Sequence, residues 1–183
     1  MTSKLEIYTE VLPQGMEFNM IKVKGGKFLM GDESEEAYDD EKPIHGVEVS
    51  DFYLGQYQVT QELWQLVMKK NPASFPGFNH PIETISWYDS VVFCNRLSKM
   101  QGYTPAYEID QNTKDPNNIN PDDDVKWFVK WNKSANGYRL PTESEWELAA
   151  RGGIYGKGYE YAGSNDLNEV GWYGLPHNSG QLK

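Results

Sequence analysis

The chain has 183 residues, one cysteine, a net charge of −10 and an aromatic content of 14%. One cysteine excludes an intramolecular disulfide and a thiolate-rich zinc site, and the acidic balance argues against a nucleic-acid partner, which requires clustered Lys and Arg. The N-terminal MTSKLEIYTE lacks a secretory pattern, and no apolar run approaches the roughly 20 residues that span a bilayer, so we expect a cytoplasmic protein without membrane contact. Seventeen glycines and ten prolines predict an irregular, loop-rich α+β domain.

The N-terminal third is predicted to form short strands. FNMIKVKGGKFLM (18–30) indicates two strands of a hairpin around Gly25-Gly26, and the alternation of Val47, Val49 and Phe52 predicts a strand leading toward Thr60. An acidic run lies between them and contains Asp32, Glu33, Glu35, Glu36, Asp39, Asp40 and Glu41. It lacks the spacing and central glycine of a calcium loop, so a solvated loop is the favoured interpretation over a cation site.

Two helices follow. The first is predicted to begin at the N-cap Thr60 and to stop at Asn71-Pro72. Its buried stripe should contain Leu63, Trp64, Val67 and Met68. The second should begin at Ser86, with Asp89 as its capping-box partner, and run to Gly102. Cys94 lies on its apolar stripe without a basic neighbour in sequence, which favours a buried structural thiol over a nucleophile.

A polar segment from Gln111 to Asp124 is predicted to be a loop between two paired strands. The strand after it should run from Val125 to Trp131 with alternate residues on one face, and its partner should be 107–109. Trp127 and Trp131 share that face. They could form a stacking platform for a sugar or a base, but a tryptophan row on a strand is more often core, and the core interpretation is favoured.

A third helix is predicted within NGYRLPTESEWELAARGG (136–153). Thr142 and Glu145 have the spacing of a capping box, and Gly152-Gly153 should end the helix. The predicted apolar stripe contains Trp146, Ala149 and Ala150.

Conventional catalytic and metal motifs are absent from the sequence. His45, His80 and His177 lack a short ligand spacing and are predicted to be structural. The sequence also contains no glycine-rich phosphate loop, no G-x-S-x-G elbow and no H-E-x-x-H helix. We therefore assign no catalytic residue from motifs.

Four stretches, in order, resemble the successive signatures of the formylglycine-generating enzyme family, also called the sulfatase-modifying factor domain. They are IKVKGGKFLMGD, EKPIHGVEVSDFYLGQYQVTQELWQ, HPIETISWYDSVVFCNRLS and NGYRLPTESEWELAARGG. The resemblance runs from about Ile21 to Gly180. It implies a C-type-lectin-like fold with two or three helices around short antiparallel strands, occupying residues 18–183 after an N-terminal extension, 1–17.

The resemblance also implies chemistry. Family enzymes use two cysteines near the C-terminus to bind copper(I), activate oxygen and oxidise a substrate-protein cysteine to formylglycine, and two calcium ions brace their loops. The family stretches G-L-Y-D-M-S-G-N-V-W-E-W and R-G-G-S-W are expected beyond Lys183, so both copper-binding cysteines should be missing and copper is not expected to bind. Cys94 matches a core position of the family, and Gly171 falls where its enzymes carry a calcium-ligating asparagine, which leaves calcium open.

Three hypotheses follow from the resemblance. The favoured one is a non-catalytic module that binds a protein or a small-molecule ligand. The alternative is the N-terminal part of a copper-dependent formylglycine-generating oxidase that another segment completes, in which case an incomplete sheet should favour self-association. An iron-dependent oxygenase, like the sulfoxide synthases of the family, ranks third.

Overall fold

The computed structural model describes residues 6–35 and 37–170. Within them, four helices and seven short strands are joined by long loops, which confirms the predicted α+β class. The strands are β1 (Ile7–Val11), β2 (Glu17–Val23), β3 (Gly26–Met30), β4 (His45–Val49), β5 (Phe52–Gly55), β6 (Tyr107–Lys114) and β7 (Trp127–Trp131). The helices are α1 (Gln61–Met68), α2 (Trp87–Met100), α3 (Glu143–Ala150) and α4 (Leu167–Val170). Over the same residues, none of these helices has both the length and the apolar character to cross a membrane.

The elements form two compact units. The helical unit contains Ile7–Met20 and Gly55–Leu140, and therefore α1, α2, β6 and β7. The acidic unit contains residues 6, 21–54 and 141–170 of the described chain. We call it acidic because 16 of the 27 acidic residues lie in its sequence. The strand order of the N-terminal sheet is β1-β2-β5, and β3-β4 and β6-β7 are antiparallel pairs.

The core of the helical unit forms where α1 packs against α2. Trp64 is 1% exposed, and its ring stacks on that of Phe93 with 5.0 Å between the ring centroids. Buried apolar side chains from both helices and from the turn after β1 complete this core: Leu12, Leu63, Val67, Met68, Cys94 and Leu97. The predicted stripe of the first helix is therefore confirmed, because burial of such side chains is what holds a short helix in place.

Local capping explains where these two helices begin. The Thr60 hydroxyl accepts a hydrogen bond from the Leu63 amide at 3.3 Å, and Ser86 and Asp89 form the predicted reciprocal capping box. These contacts satisfy amide donors that have no partner inside the helix. The first helix ends at Met68, earlier than predicted, because Lys69 adopts a left-handed conformation with φ of 62°.

The acidic unit has a smaller core around Val49, Phe52 and Leu148. Strands β3 and β4 pair with Phe28 opposite Val47, and α3 packs against them through Leu148, which is 1% exposed. The predicted hairpin at Gly25-Gly26 is wrong, because β2 pairs with β1 and β5, and β3 with β4.

Gly25 lies where two backbone segments approach closely. A Cβ atom there would lie 2.2 Å from the Val49 carbonyl oxygen. The Gly25 amide donates a hydrogen bond to Asp51 Oδ1 at 3.0 Å. The glycine therefore permits a close approach of two backbone segments instead of a tight turn, a role that short sequence signals do not distinguish from a hairpin.

Two further predictions need correction. The predicted loop begins too early, because β6 continues to Lys114 and pairs there with Trp127 after an irregularity in the register. On the third helix, Trp146 is 61% exposed and does not belong to a buried stripe. The buried positions of that helix are Glu145 and Leu148, since Leu148 fills the small core and Glu145 turns back to cap the helix.

Candidate functional site

The one thiol of the chain lies in the core of the helical unit. Cys94 is 6% exposed, and burial raises the pKa of its thiol to about 12. The Ser98 hydroxyl donates to the Cys94 carbonyl oxygen at 2.7 Å and in turn accepts from the Tyr138 amide at 2.8 Å. A protonated, buried thiol is a poor nucleophile and a poor metal ligand. The structural role predicted for Cys94 is confirmed, and the residues of this chain do not fit the two-thiolate copper(I) site of the family.

The described histidines, His45 and His80, and the described acidic residues do not converge on a metal site. Among residues 6–35 and 37–170, no group of three or more His, Cys, Asp and Glu side chains could hold a metal ion. His45 Nδ1 lies 3.0 Å from the Pro43 carbonyl oxygen, and His80 Nδ1 lies 3.3 Å from that of Phe75. His177 and Gly171 lie outside the described residues.

The acidic run is a solvated loop over its described residues, as predicted. Asp32 accepts hydrogen bonds from the amide and hydroxyl of Ser34, and these bonds lower the pKa of its carboxyl. Asp39–Glu41 form one exposed 3-10 turn, in which the Glu41 carboxylate accepts from the Tyr38 amide at 2.7 Å. The carboxylates thus organise their own loop.

The stretch NGYRLPTESEWELAARGG (136–153), the last of the four that resemble the family, contributes hydrogen bonds that hold the fold together. Thr142 and Glu145 form the predicted reciprocal capping box, with bonds of 2.8 and 3.2 Å. Glu147 accepts from the Gly31 amide at 2.9 Å, while Arg151 donates to the Gly31 carbonyl oxygen at 2.7 Å. Arg151 and Glu147 also form an ion pair at 2.7 Å. Both polar groups of one glycine are therefore held by one helix, so these residues are structural.

A buried carboxylate in the helical unit is structural as well. Glu10 on β1 is 6% exposed and accepts a hydrogen bond from Gln101 Nε2 at 3.0 Å. The same Gln101 nitrogen also donates to the Val11 carbonyl oxygen at 3.1 Å. Burial and the nearby Glu10 carboxylate raise the pKa of Tyr138, whose hydroxyl keeps its proton. This cluster ties β1 to the end of α2.

The loop after α1 is organised by one buried amide. Gln61, the first residue of α1, is 1% exposed, and its side chain makes four hydrogen bonds to this loop. Its Nε2 donates to the carbonyl oxygens of Phe75 at 2.9 Å and Pro81 at 3.2 Å. Its Oε1 accepts from Asn71 Nδ2 and from the Gly77 amide, both at 3.0 Å. A side chain that uses its full donor and acceptor capacity in this way fixes the shape of residues 71–81.

This rigid loop presents two phenylalanines to solvent. Phe75 is 57% and Phe78 71% exposed. The backbone around each ring is tied down, because the Phe75 amide donates to Glu83 Oε1 at 2.8 Å and the Glu62 amide donates to the Phe78 carbonyl oxygen at 3.1 Å. Hydrogen bonds from Thr84 and from the Phe75 amide lower the pKa of Glu83 and keep that carboxylate ionised. Exposed aromatic rings on an ordered loop are typical of binding surfaces.

A groove of about 400 Å³ lies beside Phe78. One side of the groove is formed by residues on one face of α1 and by its C-cap residue. They follow one another at helical spacing: Glu62, Gln65, Leu66 and Lys69. The turn after β1 supplies Gln14 and Met16, and the loop supplies Phe78. We name this feature the α1 groove. It is an open groove in which three apolar side chains, Met16, Leu66 and Phe78, lie among four polar or charged ones.

The two tryptophans of β7 share one face, as predicted. The Trp127 ring packs against Tyr88 with 5.5 Å between centroids, which confirms packing as its role. Trp131 is 36% exposed, and the cationic groups of Lys133 and Arg139 lie 5.3 and 5.2 Å from its ring centroid. The core interpretation therefore holds for Trp127 and is wrong for Trp131, whose ring is exposed and lies beside two cationic groups.

The chain matches the family model described as "Sulfatase-modifying factor enzyme 1-like domain" over residues 9–181. It therefore belongs to the sulfatase-modifying factor family, which includes the formylglycine-generating enzymes. Among solved structures, it is similar to Treponema denticola variable protein 1, with a TM-score of 0.70 and 28% identity, over 90% of this chain and 62% of that one. The C-type-lectin-like fold implied by the sequence is confirmed.

Three relatives show the range of the family. Chaperone protein LppX of Paenibacillus barcinonensis is 44% identical over 155 residues, which are 85% of this chain and 53% of that protein. "Inactive C-alpha-formylglycine-generating enzyme 2" of Bos taurus is 28% identical over 89% of this chain and 59% of its own length. The formylglycine-generating enzyme of Thermomonospora curvata is 28% identical over 78% and 52%. The chain thus spans little more than half the length of these relatives.

Proposed function

We propose that this chain is a non-catalytic module that binds polypeptide, in the manner of a chaperone. The observation that carries the proposal is its 44% identity to a protein named as a chaperone, against 28% to proteins named as formylglycine-generating enzymes. The α1 groove supports the proposal, because a fixed aromatic loop beside an open apolar floor suits an unfolded chain better than a buried small substrate.

The chemistry of the described residues supports the same proposal. The thiol of Cys94 is held protonated in the core, and the family signature at Glu147 and Arg151 binds the backbone of Gly31. These signature residues have their polar atoms committed to the fold. Binding through side chains exposed elsewhere on the surface does not require the polar atoms of Glu147 and Arg151 to be free.

The test uses a polypeptide that cannot fold. Reduced, carboxymethylated α-lactalbumin carrying a fluorescent label is titrated with the purified chain, and anisotropy is measured. We expect saturable binding, together with suppressed aggregation of a chemically unfolded enzyme at equimolar chain. Native α-lactalbumin is the matched control and should not bind. Absence of binding to the unfolded form would reject the proposal.

The alternative function is a part of a copper-dependent oxidase, and the relatives named formylglycine-generating enzyme favour it. It is tested by incubating the chain with copper(I), oxygen and a cysteine-containing peptide, followed by mass spectrometry. We expect no conversion of the cysteine to an aldehyde. Conversion by the chain alone would establish the oxidase and overturn the non-catalytic proposal.

A further inference from the structure

We propose that the α1 groove binds an extended polypeptide segment in which one bulky apolar side chain lies between a basic and an acidic residue. This inference rests on the proposed polypeptide-binding function and names the site and the chemistry of the bound segment.

The floor of the groove is apolar and partly shielded. Leu66 and Met16 are half-buried and also contact the core, while Phe78 forms an exposed wall. A volume of about 400 Å³ accommodates one aromatic side chain with its backbone. Covering the exposed ring of Phe78 removes apolar surface from water, which is the main driving force for such contacts.

The rim carries amide side chains that match an extended backbone. Gln14 and Gln65 face the groove, and over the described residues neither side chain has a hydrogen-bond partner. Each amide offers both a donor and an acceptor. An extended segment presents unpaired N–H and C=O groups along its length, so these amides can bind it without reading its sequence.

The charges at the two ends of the groove favour one direction of the bound segment. Glu62 lies at the start of α1 and Lys69 at its C-cap, and in the described part of the chain neither forms an ion pair within the protein. Seven residues at about 1.5 Å each separate them by about 10 Å along the helix axis. An extended segment covers that distance in about three residues. A bound segment is therefore favoured when it places a basic residue at Glu62, an acidic one at Lys69 and an apolar one between them.

The first experiment compares two variants in the α-lactalbumin binding assay. Phe78→Ser removes the wall of the groove, and Ile119→Ser is the control because Ile119 is 86% exposed on another loop. Both variants should retain the native circular dichroism spectrum and a protected Cys94 thiol. We expect Phe78→Ser to weaken binding at least tenfold, and Ile119→Ser to change it less than twofold.

A second experiment locates the bound segment. Gln65→p-benzoylphenylalanine should crosslink the unfolded polypeptide on irradiation, whereas Ile119→p-benzoylphenylalanine should not. Peptides carrying a basic, an apolar and an acidic residue at this spacing should compete, and versions with the apolar residue replaced by Ser or with both charges replaced by Gln should compete at least tenfold less well.

The outcomes separate the two proposals. If the wild-type chain binds unfolded polypeptide and Phe78→Ser binds equally well, the groove assignment is wrong and the proposed function stands. If the wild-type chain binds no unfolded polypeptide, both are rejected. If light scattering reveals a dimer that Phe78→Ser dissociates, a second copy occupies the groove and this inference is overturned.

Discussion

Replacement of Gln61 by leucine should loosen the loop that presents Phe75 and Phe78. Leucine preserves most of the volume of the side chain, so the cavity contribution is small and the change isolates the loss of hydrogen bonds. Four bonds disappear, between 2.9 and 3.2 Å in length. The Pro81 carbonyl group and the Gly77 amide lose their partner, and the Phe75 carbonyl oxygen keeps only the His80 ring nitrogen at 3.3 Å.

The size of the effect follows from the number of bonds. A hydrogen bond contributes a net of about 0.5–1.5 kcal/mol, so four contribute about 2–6 kcal/mol. Most of the loop residues are exposed, and water can replace part of what is lost. We therefore expect Gln61→Leu to lower the free energy of unfolding by about 2–3 kcal/mol.

Two measurements check this expectation. Urea unfolding followed by tryptophan fluorescence gives the global loss, and hydrogen exchange at Gly77 should accelerate at least about tenfold, because about 1.4 kcal/mol corresponds to a factor of ten. Gln65→Ala is the matched control on an exposed turn of the same helix and should stay within about 0.5 kcal/mol of wild type. An unchanged urea midpoint together with unchanged exchange at Gly77 would refute the role assigned to Gln61.

Three other predictions concern the scaffold. Gly137→Ala should cost about 1–3 kcal/mol in urea unfolding, because its Cβ would lie 2.3 Å from the Thr104 carbonyl oxygen; an equally stable variant would contradict the close packing. Thr142→Ala should cost about 1 kcal/mol by loss of the capping box, with Thr142→Ser close to wild type, and a larger loss in the serine variant would argue against capping. Iodoacetamide should modify Cys94 at pH 9 at least about a hundredfold more slowly in the folded than in the unfolded chain. Rapid labelling of the folded chain would contradict the burial of this thiol. Folding raises the pKa of the Cys94 thiol to about 12, from about 8.5 in the unfolded chain. The free energy of unfolding should therefore fall as pH rises from about 9 toward 12.

Much of the fold could be predicted because its signals are local. The caps at Thr60, Ser86 and Thr142 involve partners within one helical turn, so a short stretch of sequence defines each helix start. The burial of Cys94 likewise followed from its position on an apolar stripe. Strand pairing was harder, since the role of Gly25 depends on its contact with the Val49 carbonyl, which lies far along the chain.

The candidate site was not predictable for the same reason. Gln61 is a polar residue at the start of a helix, which is typical of a solvent-exposed position, yet it is almost fully buried by a loop that returns over it. The exposure of Trp146 was also missed, because helical spacing gives the angle of a residue around the axis but not which neighbour covers it. The groove itself joins the turn at Gln14 with Phe78, and no local pattern connects them.

The hydrogen bonds of Gly31 with Glu147 and Arg151 affect the order in which parts of the chain can fold during synthesis. Gly31 binds Glu147, which lies 116 positions later, so the acidic unit cannot close until that part of the chain has been synthesised. The helical unit needs only Ile7–Met20 and Gly55–Leu140, and its contacts are available sooner. During translation, β3 and β4 can therefore pair before α3 exists, but they remain uncovered by α3 until residues 141–151 have been synthesised. The rate of synthesis of 141–151 sets how long this apolar surface is exposed to aggregation.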